Sequence, residues 1–360
     1  MKQLIINEKI QKMPKVELHT HLGGCFARSD LWVLAQRYRG ELTKEQFDKM
    51  FDFRSFEDFS ATWKFKNSLV RTYDDFSFLM DGVVAYLKSE NIIYWEPAIA
   101  LFEFESLDPA KLLDIAALKL NESGILYSFI MDLIRGDGAS RLGMQYDFYN
   151  SLAKDYPIRG VGLSGNEQKY GLSLDLIPIF AKAKADGYGV TIHAGENGSN
   201  SNIKLALDDF KPDRIAHANW MVNHNWFPCG NFEELGSSVH HEYVPSSMLY
   251  YKFSIDKDLG GIFYNPVSMP GYYLESMGGY YFSVSSDDPG MFGKSLSYIL
   301  SALNLRDYEL CKLMCMATTA SFASSEMKKG IAFVLGEHWR DEEYWMISYM
   351  KEVIEEENMK

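Results

Sequence analysis

The chain has 360 residues, 47% hydrophobic and 24% charged, the balance of an ordinary globular protein rather than a disordered or fibrous one. Thirty-six Lys and Arg against 49 Asp and Glu leave a net charge of -13, which opposes binding to phosphate backbones and anionic lipid. The stretch from Met1 to Lys15 has no continuous apolar core, so it does not read as a signal peptide, and no run approaches the roughly 18 apolar residues of a membrane span.

In chain order, short apolar or β-branched runs that end in polar residues fall at 16–20, 93–99, 126–134, 160–163, 189–193, 214–217, 239–244 and 281–285. Stretches of helical periodicity lie among them, at 31–38, 56–65, 76–87, 109–120, 174–185 and 203–207. Eight strands with helices between them predict an α/β fold, a TIM-type (β/α)8 barrel. The segment 245–280, rich in Gly and Pro, receives no assignment. After Asp288 the pattern turns helical at 296–303, 308–322 and 338–358, so additional helices at the C-terminus are expected to cap the barrel. With no linker or low-complexity tract, 1–360 reads as one domain: a motif-bearing barrel at about 14–292 and a helical extension at about 293–360. Four scattered cysteines, Cys25, Cys229, Cys311 and Cys315, read as reduced thiols of a cytoplasmic protein. Cys311 and Cys315 share a helical face and are expected in the core.

A barrel of this kind builds its site at the C-terminal ends of its strands. The first strand ends Glu17-Leu18-His19-Thr20-His21, and strand alternation puts His19 and His21 on one face. On its own a His-x-His also suits a satisfied core or surface pair, so the other strand ends decide its meaning. The fifth ends Ile192-His193-Ala194-Gly195-Glu196, the sixth ends in His217, and the eighth ends Ser285-Ser286-Asp287-Asp288-Pro289-Gly290. Imidazoles and carboxylates on four strand ends point to a metal-dependent hydrolase.

The segments Pro14 to Leu22, Thr191 to Glu196 and Ser285 to Phe292 resemble the opening, central and closing motifs of the adenosine deaminase family, purine 6-aminohydrolases of the amidohydrolase superfamily. Weaker matches lie at Gly162 to Glu167, Arg214 to Ala218 and Val244 to Ser247. The resemblance implies one Zn2+ per chain on His19, His21, His193 and Asp287, a ligand set whose chemistry suits that ion. It implies Glu196 as proton donor to N1 and shuttle to ammonia, and His217 as the group holding the attacking hydroxide. It implies Asp288 at N7 of the base, with Gly165 bringing backbone close to N3. Phe56, Phe59 and Trp63, at helical spacing, occupy the stretch of the family's apolar lid, although such a stripe also suits plain helix core.

Some positions depart from the family pattern. Gly23 stands where relatives carry an acid or amide that meets the sugar or base, so the expected contact to a ribose 5'-hydroxyl is lost. Ala216 and Ala218 replace flanking glycines, Ser246-Ser247-Met248 replaces Thr-Ser-Asn, and Asn265-Pro266 replaces His-Pro. The expected reaction is hydrolytic deamination of adenosine or 2'-deoxyadenosine. The alternatives are a related substrate (an adenine nucleotide, an N6-modified nucleoside or nucleotide, or adenine) or a barrel that binds without turnover. The expected partner is a small-molecule purine nucleoside or nucleotide, with no nucleic acid and no membrane; oligomeric state leaves no trace in the sequence. A binuclear amidohydrolase is disfavoured by Leu163-Ser164-Gly165, which lacks a bridging lysine or carboxylate, and cytidine-deaminase chemistry by the absence of Cys-x-x-Cys.

Overall fold

The computed structural model describes residues 6–196, 200–217, 239–245, 282–340 and 345–357. Nine strands are present among them: β1 Lys15–His21, β2 Ile92–Ile99, β3 Leu126–Tyr127, β4 Phe129–Ile134, β5 Ile158–Ser164, β6 Gly189–Ala194, β7 Arg214–His217, β8 His240–Tyr243 and β9 Phe282–Val284. All eight predicted runs are strands. The third is broken at Ser128 into β3 and β4, both paired with β2. Along the order β1-β2-β4-β5-β6-β7-β8-β9 every neighbouring pair is parallel. Past β9 a parallel bridge joins Thr20 to Asp287, with Asp287 N–H donating to His19 O (3.0 Å) and His21 N–H to Asp287 O (3.3 Å). These contacts close the eight-stranded barrel.

Helices fill the connections from β1 to β7, as parallel strands require. Those at Arg28–Tyr38, Phe56–Asn67, Tyr73–Ser89 and Pro109–Ser123 match the periodicity. The 174–185 stretch divides into a 3-10 turn at Leu174–Leu176 and a helix at Ile177–Ala185, and 203–207 spans the end of the Asn200–Leu205 helix and a wide turn at Ala206–Phe210. The helices Glu8–Lys12, Lys44–Lys49, Ala139–Leu152, Pro289–Phe292 and Ser325–His338 have no counterpart in the sequence reading. The C-terminal pattern resolves into Leu296–Leu303, Asp307–Ala320, Ser325–His338 and Trp345–Glu357. The tail expected over 338–358 is thus the last residue of one helix and the whole of the next. No helix among the described residues is long and apolar enough to cross a membrane.

The strands have two differently used faces. On β1, Val16 and Leu18 join Tyr94, Phe282 and Val284 in a core shared with the C-terminal helices, including Leu300, Met314, Cys311 and Cys315. Glu17, His19 and His21 take the opposite parity, toward the barrel interior. Below them the Phe322 ring, just past the Asp307–Ala320 helix, fills the N-terminal ends of β5 and β6. A Cβ at Gly189 would lie 2.2 Å from that ring and one at Gly160 2.7 Å, so both positions need glycine. The Arg214 guanidinium covers the ring at 3.8 Å. The cap therefore seals the mouth remote from the site. Gly189→Val should cost about 1–3 kcal/mol through overpacking, read as a lower urea midpoint; an unchanged midpoint would show that the ring does not fill this space.

Candidate metal and acid/base centre

His19 is held at one ring nitrogen and open at the other. Its Nδ1 lies 2.6 Å from Glu242 Oε2, on β8, while Nε2 is buried without a hydrogen-bond partner and stands 3.5 Å from Asp287 Oδ1. His21 repeats the arrangement, with Nδ1 2.9 Å from Asp132 Oδ2 on β4 and Nε2 3.7 Å from Asp287 Oδ1. A carboxylate on Nδ1 fixes the tautomer that presents Nε2 as a ligand atom. The His193 ring lies 4.7 Å from His19 and 5.2 Å from His21, centroid to centroid. Ligand atoms of His19, His21 and His193 fall within 4.8 Å of one another, as do those of His19, His217 and Asp287. An orphaned Nε2, converging imidazoles and a shared carboxylate oxygen are a donor set that fits a dication such as zinc.

The charges favour the same occupant. Burial opposes a charge on His19, yet the Asp287 and Glu242 carboxylates beside its ring outweigh it and raise its pKa to about 10. Burial also opposes a charge on His21, and Asp132, Asp288 and Asp287 raise it to about 9. The carboxylates around the two rings thus stabilise positive charge at this place, which a bound dication would supply. Glu242 is itself compensated: despite burial, Arg214 and His19 lower its pKa to about 2. Arg214 Nε lies 2.6 Å from Glu242 Oε1 and its Nη1 2.6 Å from Glu96 Oε2, in a fully buried array.

Two ordinary residues adopt left-handed backbone here, His217 at φ 64° and Asp287 at φ 63°. Such conformations cost on the order of 1–3 kcal/mol each and persist where the surroundings enforce them. His241 Nε2 sits 2.7 Å from His217 O, and the closing bridge pins Asp287. His217 Nε2 lies 3.2 Å from His193 Nδ1 and 3.9 Å from Glu196 Oε2. Burial lowers the His217 pKa to about 3, leaving a neutral imidazole. Burial, Asp287 and Glu167 push the Glu196 carboxyl well above its ordinary range, which favours its protonated form. Glu167 accepts hydrogen bonds from the backbone N–H groups of Gly195 (2.8 Å) and Glu196 (2.9 Å), fixing the turn that presents Glu196.

His21, His193, Glu196, His217 and Asp287 line a cavity of about 1060 Å3 that also takes in Phe56, Phe59, Trp63, Gly165 and Asp288. Phe59 stacks on Phe292 at 5.7 Å, and Trp63 Nε1–H donates to Glu103 Oε2 (2.8 Å). Gly165 has φ 100°, a turn that suits glycine. A Cβ at Gly24 would lie 1.7 Å from Asp288 Oδ1, so that carboxyl reaches its place only over a glycine. Gly23 borders the cavity wall rather than the cavity, and Lys66 Nζ lies 2.8 Å from where its Cβ would stand. Cys25 is buried. The positions Ala218, Cys229, Ser246, Ser247, Met248, Asn265 and Pro266 lie outside the described residues.

The sequence reading missed Asp132, Glu167, Glu242, Arg214, Glu103 and Lys66. Asp132 did leave a signal: a single acid in the apolar strand Phe129-Ile130-Met131-Asp132-Leu133-Ile134 has no reason to be there unless it faces a cation or donor. Asp132→Asn and Glu242→Gln should each lower zinc affinity about 10–100-fold, measured by competition with a chromogenic chelator. Wild-type affinity in both would remove these carboxylates from any part in orienting His21 and His19.

Comparison with known proteins agrees with this geometry. Residues 14–225 match the family described as adenosine deaminase, a span that includes His19, His21, His193, Glu196 and His217. The adenine deaminase of Ectopseudomonas mendocina is 26% identical over 321 residues, 82% of this chain and 91% of that protein. The adenine deaminase of Rhodospirillum rubrum is 26% identical over 337 residues, 89% of this chain and 95% of that protein. Among solved structures, adenine deaminase from Arthrobacter aurescens superposes with TM-score 0.74 at 21% identity, over 91% of this chain and 99% of that one. Arabidopsis N6-mAMP deaminase gives 0.75 at 22%, over 92% and 100%. A zinc-bound amidohydrolase from Burkholderia ambifaria gives 0.71 at 18%, over 98% and 96%. With more than half of its length matched by one family, this chain is a hydrolase that belongs to the adenosine deaminase family.

Proposed function

We propose that the chain hydrolytically deaminates a 6-aminopurine, with adenosine or 2'-deoxyadenosine, a base bearing an N9 substituent, as the leading substrate type. One observation carries the reading: His19, His21 and His193 converge, with Asp287 against His19 and His21, beside a buried Glu196 whose pKa is raised and a neutral His217. The cavity of about 1060 Å3 has room beyond the base. Free adenine is a second reading, favoured by the names of the curated relatives.

His19, His21, His193 and Asp287 would hold one zinc ion. Bound there, zinc polarises water and lowers its pKa toward about 7. The overall change forms a C6–O bond and breaks the C6–N6 bond, giving a 6-oxopurine and ammonia. Glu196 gives its proton to N1, so that C6 accepts the oxygen nucleophile without developing an isolated negative charge on the ring. His217, neutral, orients the attacking water by hydrogen bond, and Glu196 then carries a proton to the departing amine. Burial and Asp287 raise the Asp288 pKa to about 8, so its carboxyl can donate a hydrogen bond to N7, a pure acceptor. The turn at Gly165 brings backbone to the N3 edge, while Phe56, Phe59 and Trp63 keep bulk water from the base.

The test is a deamination screen of zinc-loaded protein against adenine, adenosine, 2'-deoxyadenosine and AMP, following ultraviolet absorbance and ammonia together. Turnover of the nucleosides establishes the leading reading and turnover of adenine alone the second; none with any 6-aminopurine refutes both. Glu196→Gln should retain zinc and lose about 10²–10⁴-fold in kcat; unchanged turnover would remove Glu196 from proton transfer. Asp287→Ala should lose zinc on dialysis, and full retention would exclude it as a ligand.

A further inference from the structure

Glu103 has no part in the chemistry above, although it lines the cavity and is only partly buried. It ends the 3-10 turn Leu101–Glu103 that follows β2, a turn fixed by the buried Tyr149 hydroxyl, which accepts from Leu101 N–H (3.0 Å) and donates to Ile99 O (3.1 Å). One carboxyl oxygen is engaged: Oε2 accepts from Trp63 Nε1 (2.8 Å) and, at 3.5 Å, from Asn67 Nδ2. Oε1 takes no hydrogen bond from the described residues, and it is not buried. The lid helix thus holds Glu103 in one orientation with an acceptor to spare. Burial raises the Glu103 pKa, and Trp63 and Lys66 oppose that rise.

Where a substrate would meet this oxygen follows from the proposed function, on which this inference rests. The roles given above set N1 of the base against Glu196 just past β6, N3 against Gly165 just past β5, and N7 against Asp288, in the turn that the closing bridge lays beside β1. Around the rim of a purine, N9 lies between N3 and N7. Around the barrel, the strands between β5 and β1 are β4 and β2. The N9 substituent therefore leaves toward the ends of β2 and β4, where Glu103 stands. Other charged groups of that sector are committed: Asp132 to His21, Asp137 to Arg141 (3.2 Å) and Gln145 (3.3 Å), and the Arg135 guanidinium to Ser164 O (3.3 Å) and His193 O. Four of the five bases in the lining, Lys64, Arg71, Arg141 and Lys169, are exposed to solvent, where charge is strongly screened.

We propose that Glu103 is a specificity-determining residue that accepts a hydrogen bond from a hydroxyl on the N9 substituent and selects neutral nucleosides over phosphorylated ones. A hydroxyl donating to a carboxylate makes a charge-assisted bond, roughly twice as strong as a neutral one. A phosphate in the same place brings like charge into a setting less screened than water.

The test compares kcat and KM for adenosine, AMP and adenine in zinc-loaded wild type and Glu103→Gln. The wild type should use adenosine with a higher kcat/KM than AMP. Glutamine keeps an oxygen acceptor for Trp63 and removes the charge, so the AMP-to-adenosine ratio of kcat/KM should rise about tenfold or more, with KM for adenosine rising and KM for AMP falling. An unchanged ratio, or an equal loss on every substrate, would mean that Glu103 only seats Trp63 and would overturn the proposal. If the Gln variant melts early, Glu103→Asp tests the same point: the charge stays and the reach shortens, so KM for adenosine should rise while AMP remains the poorer substrate, and an unaltered KM overturns the proposal. A wild type that prefers AMP, or that turns over adenine alone, overturns the role of Glu103 and leaves the deaminase reading standing. No turnover of any 6-aminopurine removes both.

Discussion

The bridge between Thr20 and Asp287 is the contact on which the rest of the structure depends. It joins the first strand to the chain leaving the last, so it closes the barrel. It also brings the Asp287 carboxylate within 3.5 Å of His19 Nε2 and 3.7 Å of His21 Nε2. Closing the sheet and assembling the centre are therefore one event. The left-handed backbone at Asp287 is the local cost of serving both ends, and the paired backbone hydrogen bonds to His19 and His21 enforce it.

Inside the closed barrel, charge is arranged in layers. The Phe322 ring lies at the floor, beneath Arg214. Arg214 joins Glu96 to Glu242, and Glu242 grips His19 Nδ1. A buried pair broken at one member leaves an uncompensated charge costing several kcal/mol, so the array behaves as a unit. Through it, the C-terminal helices that seat Phe322 support the floor of the metal centre from the far end of the barrel. Above the centre, the Phe56–Asn67 helix brings Phe56, Phe59 and Trp63 to the cavity wall.

Much of this was legible in the sequence because it depends on local parity. Strand alternation alone put His19 and His21 on one face, and turn residues marked the ends of β6 and β9. The helix at Ala139–Leu152 escaped notice because its buried face is made of Leu142, Gln145, Tyr146 and Tyr149 around an internal Gly143, which blurs the apolar period. Lys44–Lys49 buries one residue, Phe47, too little to form a pattern. The carboxylates behind the histidines were hidden for another reason. Glu242 meets His19 across 223 residues and Asp132 meets His21 across 111, pairings that only barrel closure creates. Gly23 was read as a lost contact, since nothing local announces that Lys66 fills its space.

The central claim is that three imidazoles and one carboxylate hold a zinc ion at the strand ends. Zinc-edge X-ray absorption of the purified chain addresses it most directly. The account predicts one zinc per chain, a first shell of nitrogen and oxygen at about 2.0–2.2 Å, and the outer-shell scattering of about three imidazoles, lost in a variant with His19 and His21 both replaced by Ala. A shell at about 2.3 Å from cysteine sulfur, or an unaltered spectrum in that variant, would contradict it.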